Sequence, residues 1–152
     1  MKVSEHFALA EFTRSESAKR HGVSNEPTPE HLENLKVLCE KVLEPIRVKF
    51  GPINISSGYR SKALNHYIGG SLNSQHCEAK AADIDMDGMG GASNTEIFNY
   101  IKDSLDFDQM IWEFGDNNKP DWVHVSYNGA KNRKQILRAL KVNGKTVYAP
   151  YK

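Results

Sequence analysis

The segment Ser74-Gln75-His76-Cys77-Glu78-Ala79-Lys80-Ala81-Ala82-Asp83 is the most informative part of the chain, together with Trp122-Val123-His124-Val125-Ser126. Both segments contain short apolar runs that are typical of strands. His76, Asp83 and His124 supply two imidazoles and one carboxylate. These are the ligand types with which a catalytic zinc site binds its metal while one position stays open for water. The two segments therefore predict a metal site built largely on the strands of a sheet.

Asp83 lies in a predicted strand that covers residues 81–86. Successive side chains of a strand point to opposite faces, so Asp83 and Asp85 share one face and Ile84 and Met86 share the other. A carboxylate in an apolar strand costs free energy unless it is paired or bound to a cation. We therefore interpret Asp83 as a metal ligand, and Asp85 as a supporting or alternative carboxylate.

The two histidines are less informative alone than they are with Asp83. Small alanines separate His76 from Asp83, seven positions later, and they allow two backbone segments to approach closely. His124 shares a face of its predicted strand with Trp122 and Ser126, while the two valines face the core. A single histidine on a strand is most often an ordinary polar residue. The combination of all three residues is what favours the metal site.

A hydrolytic metal site also needs a base, and two carboxylates are candidates for it. Asp121 lies three residues before His124, at the turn into the same strand. Glu113 lies in the predicted partner strand, residues 109–114, where an antiparallel register would place it directly across from His124. Asp121 is otherwise a turn residue and Glu113 a solvated strand carboxylate. The sequence does not distinguish between these two candidates.

Arg60 and Ser74 are candidates for contacts with a substrate. Arg60 lies in Ser57-Gly58-Tyr59-Arg60-Ser61, and its guanidinium can donate to a carboxylate or to a developing oxyanion. Its ordinary alternative role is a surface salt bridge. Ser74 precedes His76 by two residues, and it either donates to substrate or holds the loop. Cys77 is a possible soft ligand, but its side chain should diverge from that of His76.

The remaining patterns predict an α+β fold in a single domain that covers residues 1–152. Helices are predicted for residues 28–50, 61–68 and 94–105, with strands at 53–57, 81–86, 109–114 and 122–126 and a hairpin at Asn143-Gly144. Pro45 should kink or shorten the first helix. Helices followed by neighbouring strands predict a mostly antiparallel sheet with helices packed on one side.

The composition is that of an ordinary globular protein and excludes several classes of function. Hydrophobic residues make up 39% of the 152 residues and charged residues 26%. A net charge of +1 gives no electrostatic reason to expect nucleic acid or a membrane surface as a partner. The N-terminus has no apolar segment typical of a signal peptide, so synthesis in the cytoplasm is expected. Cys39 and Cys77 are expected to be free thiols rather than a disulfide, and the protein is expected to be a monomer.

These segments together resemble the M15 metallopeptidases, which include zinc D-Ala-D-Ala carboxypeptidases and phage L-alanyl-D-glutamate endolysins. The family pattern Ser-x-His-x-x-Gly-x-Ala-x-Asp is similar to residues 74–83, and Trp-x-His is similar to residues 122–124. The chain also resembles the short phage and prophage branch of the family in four segments, which are residues 57–61, Leu64-Asn65, Gly69-Gly70 and the opening residues 4–13. The resemblance covers nearly the whole chain, in the family order, and implies the fold shared by Hedgehog domains and DD-peptidases.

The resemblance implies a Zn²⁺ ion on His76, Asp83 and His124, with Arg60 near the scissile carbonyl or a substrate carboxylate. The acidic base of the family falls on Asp121, and in the short branch Glu113 is the alternative. The implied activity is hydrolysis of a peptide bond in the stem peptide of peptidoglycan, on the cell wall after release or as part of a virion. The alternative is a zinc-stabilised binding or virion structural module of the same fold, without catalysis.

One residue departs from the family pattern. Ala79 stands where the pattern has glycine. If the backbone there has a positive φ, alanine costs about 1 kcal/mol or more of strain.

Overall fold

The computed structural model describes all of residues 1–152 and confirms the α+β organisation. The helices are α1 Ala10–Thr13, α2 Glu16–His21, α3 Pro29–Leu38, α4 Glu44–Phe50, α5 Lys62–Tyr67 and α6 Asn94–Ser104. The strands are β1 Ile55–Ser57, β2 Ala81–Ile84, β3 Gln109–Glu113, β4 Trp122–Ser126, β5 Gln135–Val142 and β6 Lys145–Pro150. No helix is long and apolar enough to cross a bilayer.

The six strands form one sheet in the order β1-β2-β4-β3-β5-β6. Four of the five strand pairs are antiparallel, as expected, but β3 and β5 run parallel, with Ile111 paired to Leu137. The sheet is therefore mixed, which the sequence patterns did not indicate. The reason is that β4 already occupies one side of β3, and β5 returns along the other side in the same direction as β3.

The long helical region begins as predicted but passes Pro45 without ending. The Thr28 side chain accepts a hydrogen bond from the His31 amide, and Pro29 lies in the first turn. A π-helical turn, Cys39–Leu43, joins α3 to α4 just before Pro45. A proline ring clashes with the carbonyl four residues earlier in an α-helix, and the wider turn accommodates it. A π-helical turn therefore lies next to Pro45, where the sequence predicted a kink or a shortening of the helix.

The hydrophobic core lies between α3, α4 and α6 and one face of the sheet. Ala82 and Ile84 on β2 and Val123 and Val125 on β4 have no exposed surface and belong to this core. The strand residues that alternate with them point to the opposite face of the sheet. This opposite face bears the candidate site.

Candidate metal centre

The side chains of His76, Asp83 and His124 converge on one point above the sheet. Strands β2 and β4 pair with Asp83 directly across from His124, and Asp83 Oδ1 lies 3.0 Å from His124 Nδ1. His76 Nε2 lies 3.3 Å from the same oxygen. The exposed fractions are 2% for His76, 8% for Asp83 and 9% for His124. One potential ligand atom from each residue lies within 4.8 Å of the others.

His76 is carried by a short 3₁₀ helix, Gln75–Glu78, that is fixed from two sides. The Ser74 hydroxyl accepts a hydrogen bond from the His76 amide at 3.2 Å. The ring Nδ1 lies 2.7 Å from the Gly58 carbonyl oxygen, so Nδ1 carries the proton and donates it. Gly58 leaves no space for a side chain, because a Cβ would lie 2.7 Å from Phe12 Cα. Close packing of the backbone thus sets the orientation of the imidazole.

The second ring nitrogen, His76 Nε2, is buried and has no hydrogen-bond partner. Since Nδ1 carries the proton, Nε2 presents a lone pair toward Asp83 and His124. A histidine that donates through one nitrogen to a backbone carbonyl is the usual arrangement for a metal ligand that binds through the other. The donor set of two imidazole nitrogens and one carboxylate oxygen is also the set that suits zinc. These residues therefore fit a zinc ion.

The electrostatics of His76 and Asp83 agree with this assignment. Burial lowers the pKa of His76 below its usual value, which favours the neutral, ligating ring. Burial alone would raise the pKa of Asp83, but the two histidines outweigh that effect and lower it. Asp83 is therefore ionised over the whole physiological range. The negative charge of a buried carboxylate is one that a bound metal ion would neutralise.

Ala79 adopts the left-handed conformation, with φ +59°, at the end of the helix that carries His76. It is fully buried, and it redirects the chain into β2 toward Asp83. Only glycine adopts this conformation without a cost, which is about 1–2 kcal/mol for other residues. The strain anticipated at this position is therefore present in the loop between two of the three ligands.

Arg60 lies beside the centre and is held by its neighbours. Its Nη2 is 3.7 Å from Asp83 Oδ2. Its Nε donates to the Ser57 hydroxyl and its Nη1 donates to Asn65 Oδ1. A Cβ at Gly70 would lie 2.0 Å from Asn65 Oδ1, so only glycine permits this arrangement. Arg60 is thus a fixed cation next to the candidate ligands rather than a mobile surface residue.

The register between β3 and β4 differs from the expected one. Glu113 pairs with Trp122, and Ile111, not Glu113, lies across from His124. The hairpin closes through a hydrogen bond from the Asp121 amide to the Glu113 carbonyl. The pairing is therefore shifted by two residues from the expected register. Because the shift is even, Glu113 still shares a face with His124.

The two candidate bases have different surroundings. Glu113 is buried and lines the cleft above the ligands. Burial raises its pKa to about 7, with Asp83 adding to this effect and His124 and Arg60 opposing it. Asp121 is exposed at the turn and does not line the cleft. Its backbone carbonyl accepts a hydrogen bond from the Asn94 side chain at 3.0 Å.

Asp85 and the cysteines lie outside the ligand cluster. Strand β2 ends at Ile84, and the Asp85 carboxylate accepts hydrogen bonds from the Asp87 amide and the Asn94 side chain. The structure therefore gives no support to Asp85 as an alternative ligand. Cys39 and Cys77 are buried free thiols, as expected, and neither belongs to the cluster.

A cleft of about 760 Å³ extends across the sheet from Asp83 on β2 to Tyr148 on β6, with Ser74 also at its wall. The cleft is also lined by an ion pair between the buried Asp108 and the exposed Arg133, which the sequence patterns missed. Asp108 accepts two hydrogen bonds from the Arg133 guanidinium, each 3.0 Å long, and one from the Gln75 side chain at 2.8 Å. Gln75 precedes His76, so this network ties the ligand-bearing helix to the start of β3.

A polar cleft with a cluster of candidate metal ligands next to a buried carboxylic acid is the arrangement found in metal-dependent hydrolases. The chain matches the model of the peptidase M15 family over residues 5–126, and it belongs to this family. Members of this family are metallopeptidases that generally depend on zinc. The resemblance to the M15 family is thereby confirmed at the level of the family. A comparison with curated proteins finds no match to the chain.

Proposed function

We propose that this protein is a zinc-dependent peptidase that hydrolyses a peptide bond in the stem peptide of bacterial peptidoglycan. The observation that carries the proposal is the unpartnered, buried Nε2 of His76, which faces Asp83 and His124 at the base of a cleft that also contains Glu113. Membership of the M15 family supports the reaction class and the substrate. An exposed polar cleft also suits an extended, polar peptide better than an apolar ligand.

His76, Asp83 and His124 would hold the zinc ion. Zinc bound there would act as a Lewis acid and lower the pKa of a water molecule toward neutrality. Glu113 takes a proton from the attacking water and passes it to the leaving amine. Arg60 donates hydrogen bonds to the carbonyl oxygen as it becomes negative, or to a carboxylate of the substrate. Ser74 holds the helix of His76 and offers its hydroxyl at the wall of the cleft.

Glu113 is the better candidate for the base than Asp121. A general base works best when its pKa lies near the operating pH, and in the metal-free protein burial raises the pKa of Glu113 to about 7. Glu113 also shares the face of the sheet with His124, whereas Asp121 lies outside the cleft. Asp121 serves instead to close the hairpin through its backbone amide.

The substrate lies outside the cytoplasm, so the protein would act on the wall after release from the cell or as a virion component. We propose that it does so as a monomer, because all three ligands, Glu113 and Arg60 come from one chain. The bond that is cut, D-Ala-D-Ala, L-Ala-D-Glu or a cross-bridge, is identified by the mass of the released fragments.

The test uses purified sacculi and mass spectrometry of the soluble products. We expect fragments from the zinc-loaded protein, none after treatment with a chelator, and recovery when zinc is added back. Glu113→Gln should lower kcat by about 10²- to 10⁴-fold, since the amide cannot accept the proton. Asp121→Asn is the matched control on the same hairpin and should change kcat less than about threefold.

Two results would contradict this proposal. A zinc-loaded, folded protein that releases no fragments would favour the alternative of a zinc-stabilised binding or virion structural module. A large loss in Asp121→Asn with full activity in Glu113→Gln would reverse the assignment of the base.

A further inference from the structure

The hairpin formed by β5 and β6 contributes a wall of the cleft that the proposed reaction does not use. The two strands are joined at Asn143-Gly144, where the sequence predicted a hairpin, and both residues have positive φ. The hairpin lies beyond residue 126, where the match to the family model ends. Leu137, Thr146 and Tyr148 from this hairpin line the same cleft as the candidate ligands.

Tyr148 occupies the same row of the sheet as Glu113. Glu113 pairs with Ala139 on β5, and Ala139 pairs with Tyr148 on β6. Residues paired in this way point to the same face, so Glu113, Ala139 and Tyr148 all lie on the face of the sheet that bears the cleft. Neighbouring strands lie about 4.8 Å apart, which places the backbones of Glu113 and Tyr148 about 10 Å from each other. Ala139 has no exposed surface, so neighbouring side chains cover it, and it does not itself line the cleft.

The Tyr148 hydroxyl is close enough to the centre to sense its charges. Burial raises the pKa of Tyr148, and the negative charges of Glu113 and Asp83 raise it further, while Arg60 opposes them. The hydroxyl is therefore protonated at neutral pH and is a hydrogen-bond donor. The residue is 55% exposed. Its donor is free for a molecule that enters the cleft.

We propose that Tyr148 is a substrate-binding residue of this peptidase. Its hydroxyl donates a hydrogen bond to a carbonyl or carboxylate oxygen of the stem peptide, on the side of the centre where Glu113 lies. Its ring forms the surface against which that part of the peptide packs. The inference rests on the proposed function and adds a residue to it that the family match does not cover.

Val147 provides a matched control on the same strand. It is 42% exposed, close to the value for Tyr148. It pairs with Leu140 and points to the opposite face of the sheet. Shortening Val147 therefore perturbs β6 about as much as shortening Tyr148, without reaching the cleft.

The experiment compares Tyr148→Phe, Tyr148→Ala and Val147→Ala with the unmodified protein, all loaded with zinc. A soluble stem peptide prepared from sacculi is the substrate, and kcat and KM are measured separately along with zinc content and Tm. Tyr148→Phe should raise KM about three- to tenfold, the effect of one lost hydrogen bond, and Tyr148→Ala should raise it further. Val147→Ala should leave KM unchanged. Zinc content should be equal in all four proteins.

Equilibrium binding of the same peptide in a Glu113→Gln background gives a second readout without hydrolysis, and Tyr148→Ala should weaken it. Unchanged KM and peptide binding in both Tyr148 variants, or an equal change in Val147→Ala, would overturn the role of Tyr148 alone. Failure of the unmodified protein to release any fragment would instead overturn the proposed function and the inference together.

Discussion

The two faces of β2 and β4 are almost equally buried but have opposite chemistry. On one face Ala82, Ile84, Val123 and Val125 are fully buried against the helices. On the other face Asp83 and His124 are nearly as inaccessible to solvent, yet both are polar. Burial therefore does not distinguish the core from the site. The difference lies in the partners, which are apolar side chains on one face and imidazoles, a guanidinium and backbone carbonyls on the other.

The largest effect is expected from Asp83→Asn, a change on the cleft face that preserves the shape of the side chain. Loss of the only carboxylate ligand should reduce bound zinc to a small fraction of one ion per chain. Release of wall fragments should fall about a thousandfold or more. Zinc is measured by atomic absorption on the purified protein and activity is measured on sacculi. Circular dichroism serves as the control that the variant is folded. Near-normal zinc content and activity in the folded variant would contradict the ligand assignment.

A smaller effect, of a different kind, is expected from Ile84→Ala on the core face, one residue further along β2. The variant removes buried methyl and methylene groups and leaves a cavity, which should lower the free energy of unfolding by about 2–5 kcal/mol. Urea unfolding of the zinc-loaded protein measures this loss. Zinc content and kcat at low temperature should stay normal, because Ile84 does not face the cleft. Loss of zinc from the folded variant would show that the two faces are not independent.

The smallest effect is a pH dependence that belongs to Glu113. In the metal-free protein its pKa is about 7 when folded, against an ordinary value of 4.5. Between these two pH values the Glu113 carboxyl group is ionised in the unfolded chain but still protonated in the folded chain. The contribution of this group to stability therefore falls as pH rises from about 4.5 to 7, by up to about 3 kcal/mol, and is constant above that range.

Glu113→Gln removes this titration and supplies the comparison. Urea unfolding with chelator at a series of pH values should show the unmodified protein losing stability relative to the variant across that interval. Parallel stability profiles for the two proteins would mean that Glu113 is not the buried acid described above.

The sequence was sufficient for the elements whose signals are local. Alternation identified β2 and β4 and the faces of Asp83 and His124, and Asn143-Gly144 identified the last hairpin. The carboxylate of Asp83 also pointed to a cation, because its burial in an apolar strand had no other compensation in the sequence.

The parts that were missed depend on contacts between distant segments. The parallel pairing of β3 with β5 has no local signature, so the sequence did not bring Tyr148 near Glu113. The spacing of Asp121 and Glu113 from His124 suited either as the base, and only the hairpin register and burial separate them. Likewise, Pro45 was expected to disturb its helix, but nothing local indicated a π-helical turn.

The parallel pair also has a consequence for a chain that is still being made. Strand β3 is completed on one side by β4, but its other side stays open until Gln135–Val142 has been synthesised. During that interval the apolar strand that contains Met110 and Trp112 has an unpaired edge, the kind through which incomplete proteins aggregate. Truncation before β5 would therefore spare all three ligand residues and still yield an insoluble product.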